Sequence, residues 1–152
     1  CDFIGDGPSL DYLKNLTKEL NLEENINFLG PKERSYIYEN LCSYDLLVQP
    51  SRLEGFGLTI VEGMLAKINV LVSNIEGPME LICNGKYGYF FKKDNILDLA
   101  QTLTKINFNS ARESALINTR NYAKRSFNIS NTADEYIKNY YFVFDQLGTD
   151  DP

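Results

Sequence analysis

The chain has 152 residues, 43% hydrophobic and 24% charged, a globular balance with enough length for one domain and a real core. Fifteen basic against 21 acidic residues give a net charge of −6 and a pI near 4.7, which argues against nucleic acid or an anionic membrane surface as a partner. Histidine is absent, which excludes Ser-His and Cys-His nucleophile systems and imidazole metal sites.

The chain opens on Cys1-Asp-Phe-Ile4, which reads like the middle of a strand, so it is expected to be a piece of a longer protein. Further strands are expected at Ile26–Leu29, Leu46–Gln49, Val70–Ser73 and Tyr89–Phe91. Between them, helix-period segments fall at Leu10–Leu20, Glu33–Leu41, Gly57–Lys67 and Met79–Ile82. This alternation predicts an α/β fold, a Rossmann-like doubly wound parallel sheet covered on both faces. Right-handed crossovers then put the turns Gly5–Pro8, Gly30–Lys32, Gln49–Gly57 and Asn74–Pro78 at one carboxyl edge, where such folds bind ligands. Past Phe91 the strands stop and helices follow: Asp94–Ile106, Ser110–Arg125, and Asn131–Leu147 with Asn131 as N-cap. Residues 1–147 are read as one ligand-binding domain and 148–152 as a frayed tail. No apolar run reaches membrane-spanning length. Cys1, Cys42 and Cys83 match no metal spacing, and reduced core thiols in a cytosolic protein are the expectation.

Chemistry concentrates at Pro50-Ser-Arg-Leu-Glu-Gly-Phe-Gly-Leu-Thr-Ile-Val-Glu62, a glycine turn between a strand and a helix start. First-turn N–H groups and the helix dipole make such a junction a diphosphate cradle. On a helical wheel Leu58, Val61, Met64, Leu65 and Ile68 form one apolar stripe with Glu62 at its rim. Glu62 lies ~7.5 Å along the helix from Gly57, about the offset from a diphosphate to the ribose of the same nucleotide. Glu54, before the helix, would face whatever the diphosphate carries at its other end. Either glutamate alone is more often an ordinary surface residue; the pair around Gly55-Phe56-Gly57 argues otherwise.

Glu54-Gly-Phe-Gly-Leu-Thr-Ile-Val-Glu62 resembles the E-x7-E motif of the retaining, nucleotide-sugar-dependent glycosyltransferases with the GT-B fold. Collinear segments carry the resemblance down to about Ile106: Phe3-Ile-Gly-Asp-Gly-Pro8, Ile26-Asn-Phe-Leu-Gly30, Tyr44-Asp-Leu-Leu-Val-Gln-Pro-Ser51 and Asn84-Gly-Lys-Tyr-Gly88-Tyr-Phe-Phe91. The resemblance implies the C-terminal, donor-binding half of such an enzyme. One further strand and helix, bearing a basic diphosphate contact, and an acceptor-binding N-terminal domain are expected upstream. By position, Glu62 would take the ribose hydroxyls, and the N–H groups of Gly57, Leu58 and Thr59 the diphosphate. Glu54, grouped with Gly55 and Phe56 in the turn, would be the catalytic-site carboxylate contacting the donor sugar. Gly30, Pro31 and Lys32 would lie near the base, with the Gly5–Gly7 loop a weaker candidate for the same neighbourhood.

The resemblance further implies a hexosyl transfer that retains anomeric configuration, a UDP- or GDP-sugar as co-substrate, no cofactor and no metal. The acceptor would be a glycan or lipid-linked group, and the fragment alone would be inactive. Gly77-Pro-Met-Glu80 is similar to a loop of capsule and lipopolysaccharide enzymes, pointing to cell-surface polysaccharide synthesis. A cytoplasmic location follows, with a peripheral place at the inner membrane face left open for the parent enzyme. Lys67 and Asn69 depart from the Gly and Pro usual after the motif helix, and Arg52 reads as a solvated loop residue. Two alternatives stand beside this reading: a non-catalytic nucleotide-sugar-binding module, and a GT-B-type nucleotide-sugar epimerase, which would be expected to carry a histidine.

Overall fold

Strand β1 (Asp2–Ile4) pairs in parallel with β2 (Asn27–Gly30), and helix α1 (Leu10–Glu19) makes the crossover between them. The coordinates are a computed structural model that describes residues 1–106, 108, 113–130, 133, 134 and 136–139. These first two strands belong to a unit of residues 1–40, which also holds α2 (Arg34–Asn40). A second unit begins at Leu41 and carries a parallel sheet of β3 (Leu46–Gln49), β4 (Asn69–Ser73) and β5 (Tyr89–Phe91), in that order. Parallel pairing and interposed helices agree with the Rossmann-like expectation, whereas hydrogen bonding divides the strands into two sheets rather than one.

In the second unit the sheet is covered on both faces, and residue parity decides which side chain serves which face. Val70 and Val72 of β4, with Leu47 of β3, pack among Ile60, Val61 and Met64 of α3 (Leu58–Leu65). The same cluster takes Leu81 of α4 (Glu76–Leu81) and Ala123 of α6 (Glu113–Ser126). On the opposite face Leu71, Leu46 and Phe91 pack with Leu99 of α5 (Ile96–Lys105) and with Ile106. All five residues of β4 are buried, as a central parallel strand requires. Burial of side chains such as Ile60, Met64 and Leu71 contributes about 1.5–3 kcal/mol each.

Helix boundaries follow local chemistry. Asn95 caps α5, its side chain accepting from the Asp98 N–H at 2.9 Å. Helix α4 starts at Glu76, three residues ahead of the expected Met79, because Pro78 falls in the first turn, where its missing N–H costs nothing. Helix α1 ends in a left-handed Asn21 (φ 52°), with N–H groups of Asn21 and Leu22 bonded to Lys18 and Thr17 carbonyls.

The expectation of core thiols fails for two of the three cysteines. Cys1 and Cys42 are exposed and Cys83 is half-buried, and none of the three is in a disulfide among the described residues. Most of the expected helix Asn131–Leu147, with its N-cap Asn131, and the tail 148–152 lie outside the described residues; residues 133, 134 and 136–139 are helical. No helix among the described residues is long and apolar enough to cross a membrane.

Candidate functional site

The site of the second unit starts from strand parity. Leu47 points to the α3 face of the sheet, so Gln49, two residues on, points the same way at the carboxyl end of β3. There its amide nitrogen donates to Glu54 Oε2 at 3.1 Å and to Ser51 Oγ at 3.0 Å. Ser51 Oγ in turn donates to Glu54 Oε2 at 3.2 Å, and Thr59 Oγ1 donates to Gln49 Oε1 at 3.2 Å. Glu54 is half-buried and its other oxygen has no partner among the described residues. Beneath the loop, the buried Ser73 hydroxyl at the end of β4 donates to the Ser51 carbonyl.

Gly57 sets the exit from this loop into α3. It is the N-cap residue in the left-handed region, at φ 78° and ψ 51°. That conformation favours glycine, and a Cβ there would stand 2.8 Å from Ile60 Cδ1 and 3.2 Å from Leu81 Cδ1, so these side-chain ends would have to shift to admit one. Gly77, at the start of α4, lies against the same loop: its Cβ would meet the Gly55 carbonyl oxygen at 2.8 Å. Ile60 N–H bonds the Gly57 carbonyl at 2.9 Å, while the N–H groups of Leu58 and Thr59 precede any intrahelical acceptor.

The helical wheel expected from sequence is corrected here. Leu58 is 61% exposed and Leu65 37% exposed, and the buried side of α3 is Ile60, Val61, Gly63 and Met64. Glu62 itself keeps intermediate burial, between the buried Val61 and Gly63, so the correction falls on Leu58 and Leu65. The segment is almost uniformly apolar, so its pattern alone could not reveal that sheet and α6 cover one half and leave Leu58 out. Glu62 is half-buried, and its carboxylate makes no hydrogen bond or ion pair with any described residue.

Phe56 is 52% exposed and meets the Phe127 ring edge-on. Arg52 forms an ion pair with Asp94 at 2.7 Å; its side chain is 81% exposed, which agrees with a solvated loop arginine. In the first unit, Gly30 closes β2 at φ 67° and Pro31 and Lys32 are exposed, the Lys32 ammonium 5.0 Å from the Tyr36 ring centroid. The Gly5–Pro8 loop, with Phe3, Leu13 and Phe28, lines an apolar cavity of about 290 Å³. The structure brings Glu54, Gly55, Phe56, Gly57, Leu58, Thr59 and Glu62 together within one loop and helix, and places Gly30, Pro31 and Lys32 in the other unit.

Sequence reasoning missed Gln49, Ser51, Ser73, Gly77 and Phe127. A signal existed for one of them: a polar residue on the helix-covered parity of a buried strand, at its carboxyl end, is out of place unless it has partners.

Comparison with known proteins fits this geometry. The family model described as glycosyl transferases group 1 matches residues 1–125. An uncharacterized glycosyltransferase of Methanocaldococcus jannaschii is 31% identical over 123 residues, covering 80% of this chain and 35% of that protein. A Staphylococcus aureus poly(ribitol-phosphate) alpha-N-acetylglucosaminyltransferase is 30% identical over 67% of this chain and 20% of its own length. Among solved structures, Anabaena HepE in complex with UDP and glucose superposes with a TM-score of 0.77 at 26% identity, over 92% of this chain and 40% of that one. The chain thus spans well under half of these relatives, and its structural neighbours are GT-B glycosyltransferases.

Proposed function

Because the chain belongs to the group 1 glycosyltransferases, matched over residues 1–125, we propose that it holds the nucleotide-sugar donor for a retaining glycosyl transfer. The observation that carries this is the left-handed N-cap at Gly57, where the first-turn N–H groups of Leu58 and Thr59 have no intrahelical acceptor, with Glu54 before them and Glu62 one turn beyond. The N–H groups of Leu58 and Thr59, with the positive end of α3, hold the diphosphate. Glu62 takes the ribose hydroxyls and Glu54 a hydroxyl of the sugar. The complex of Anabaena HepE with UDP and glucose supports a UDP-sugar, and the S. aureus poly(ribitol-phosphate) transferase supports a polymer as acceptor.

In the reaction an acceptor hydroxyl attacks the anomeric carbon on the face from which the diphosphate departs. The bond from that carbon to the diphosphate oxygen breaks, the glycosidic bond forms, and the acceptor's proton passes to the departing phosphate oxygen. The helix N-terminus meets the charge growing on the diphosphate, so no metal is required, and positioning supplies most of the rate. The acceptor is bound by a further, N-terminal domain of the parent enzyme.

Calorimetric titration with UDP, GDP and ADP tests this reading. Binding of one nucleotide, lost or much reduced in Glu62→Ala, is the expected result. Undiminished binding by Glu62→Ala removes the ribose assignment, and a chain that binds none of the three overturns the donor reading.

A further inference from the structure

We propose that Gln49 is a positioning residue that selects which oxygen of the Glu54 carboxylate faces the donor sugar. This rests on the donor reading above and adds a residue to it. A carboxylate only accepts hydrogen bonds, so the Gln49 amide must present its nitrogen to Glu54, which leaves its oxygen for the Thr59 hydroxyl. One side chain thereby joins the end of β3, the motif loop and the first turn of α3. The Glu54 carboxylate dictates that orientation, and the Thr59 hydroxyl, able to donate or accept, adapts to it. With Ser51 also donating to Oε2, that oxygen is saturated from two sides and the other is left for a ligand hydroxyl.

The arrangement separates two tasks within one donor. The diphosphate is held by backbone N–H groups whose position depends on Gly57 and the α3 packing, not on Gln49. The sugar is held by a side chain whose rotamer Gln49 fixes. Loss of Gln49 therefore weakens recognition of the sugar and leaves recognition of the nucleotide diphosphate in place.

The test compares affinities for UDP and UDP-glucose, with GDP and GDP-mannose in parallel, in the wild type, Gln49→Met and Gln49→Glu. Methionine keeps the length and removes all three hydrogen bonds, to Glu54, Ser51 and Thr59. Glutamate keeps the length and an acceptor for Thr59 but sets a second carboxylate against Glu54. For Gln49→Met the expected result is nucleotide affinity within about twofold of wild type and sugar-nucleotide affinity about tenfold weaker, with a larger sugar-specific loss for Gln49→Glu. A merely structural role would lower both affinities together with the melting temperature, and that result overturns the proposal. An unchanged ratio in Gln49→Met overturns it as well while leaving the donor reading intact. A wild type that binds no nucleotide ends both. If Gln49→Met does not fold, Gln49→Asn, which keeps the amide but draws it back from Glu54, is measured in its place, and the same ratio decides.

Discussion

The ring of Phe56 meets Phe127 edge-on, 6.0 Å between centroids and 87° between planes, so the motif turn is tied to the segment that follows α6. Phe127 also sits edge-on to Tyr122, at 5.7 Å and 85°, and Tyr122 stacks on Tyr87 at 4.1 Å. The ladder runs from the loop that carries Glu54 to the loop before β5. Phe127→Ala removes two aromatic pairs and leaves a gap over the α3 core cluster. It should cost about 2 kcal/mol in denaturant unfolding. A double-mutant cycle with Phe56→Ala should show a coupling of about 0.5–1.5 kcal/mol; additivity within error would mean that the rings touch without supporting each other.

The glycines of the motif should separate cleanly on substitution. Gly57→Ala places a side chain at φ 78° and within 2.8 Å of Ile60, so a loss of about 2 kcal/mol is expected. Gly55→Ala meets nothing within 4 Å and should change stability by less than about 0.5 kcal/mol. Urea midpoints of the two variants provide the check. Equal midpoints would show that the turn relaxes around Gly57 and does not depend on it.

Tyr122 gives the chain a marker at high pH. Burial, followed by its hydrogen bond to Cys83, pushes the phenol from 10.0 up to about 12. Between these values the unfolded phenol has lost its proton while the folded one keeps it, so unfolding releases a proton and stability falls as pH rises. The contribution is fully present below pH 10 and lost as pH climbs through about 12. The melting temperature of the wild type should therefore drop more steeply across this window than that of Tyr122→Phe. Parallel curves would place the phenol in solvent.

How far these features were legible in the sequence depended on whether their causes were local. The run Val70–Ser73 is apolar on both parities and reads as a buried parallel strand, and Gly57 reads as a turn glycine because nothing else fits a left-handed cap there. Gly77-Pro78 misled, because a dipeptide that usually marks a turn also suits a first helical turn. Leu58 and Leu65 misled because an apolar helix does not declare which half the sheet will cover. Gln49, Ser73 and Phe127 act on the motif through space, across 5, 22 and 71 residues of chain from Glu54, Ser51 and Phe56, and no spacing rule could have paired them. The donor roles of Glu54 and Glu62 came from resemblance, and their test is nucleotide binding.

Lys67 provides a prediction in the opposite direction, toward greater stability. Helix α3 ends at Leu65 with Ala66 as C-cap, and Lys67 follows at φ 61°. Its N–H bonds the Met64 carbonyl and the Ile68 N–H bonds the Gly63 carbonyl, both at 3.2 Å. These are the paired bonds of a Schellman cap, with the buried Ile68 as its hydrophobic residue. Such a cap is built for glycine, because a Cβ in the left-handed region crowds the following carbonyl at a cost of roughly 1–2 kcal/mol. Lys67→Gly removes that crowding but gives the unfolded chain more freedom, which returns part of the gain. The net expectation is a stabilisation of about 1 kcal/mol, read as a higher urea midpoint with an unchanged slope. Lys67 is exposed and lies beyond the helix that carries Glu62, so nucleotide affinity should not change. A neutral or destabilising result would mean that the lysine side chain makes contacts worth as much as the strain it imposes.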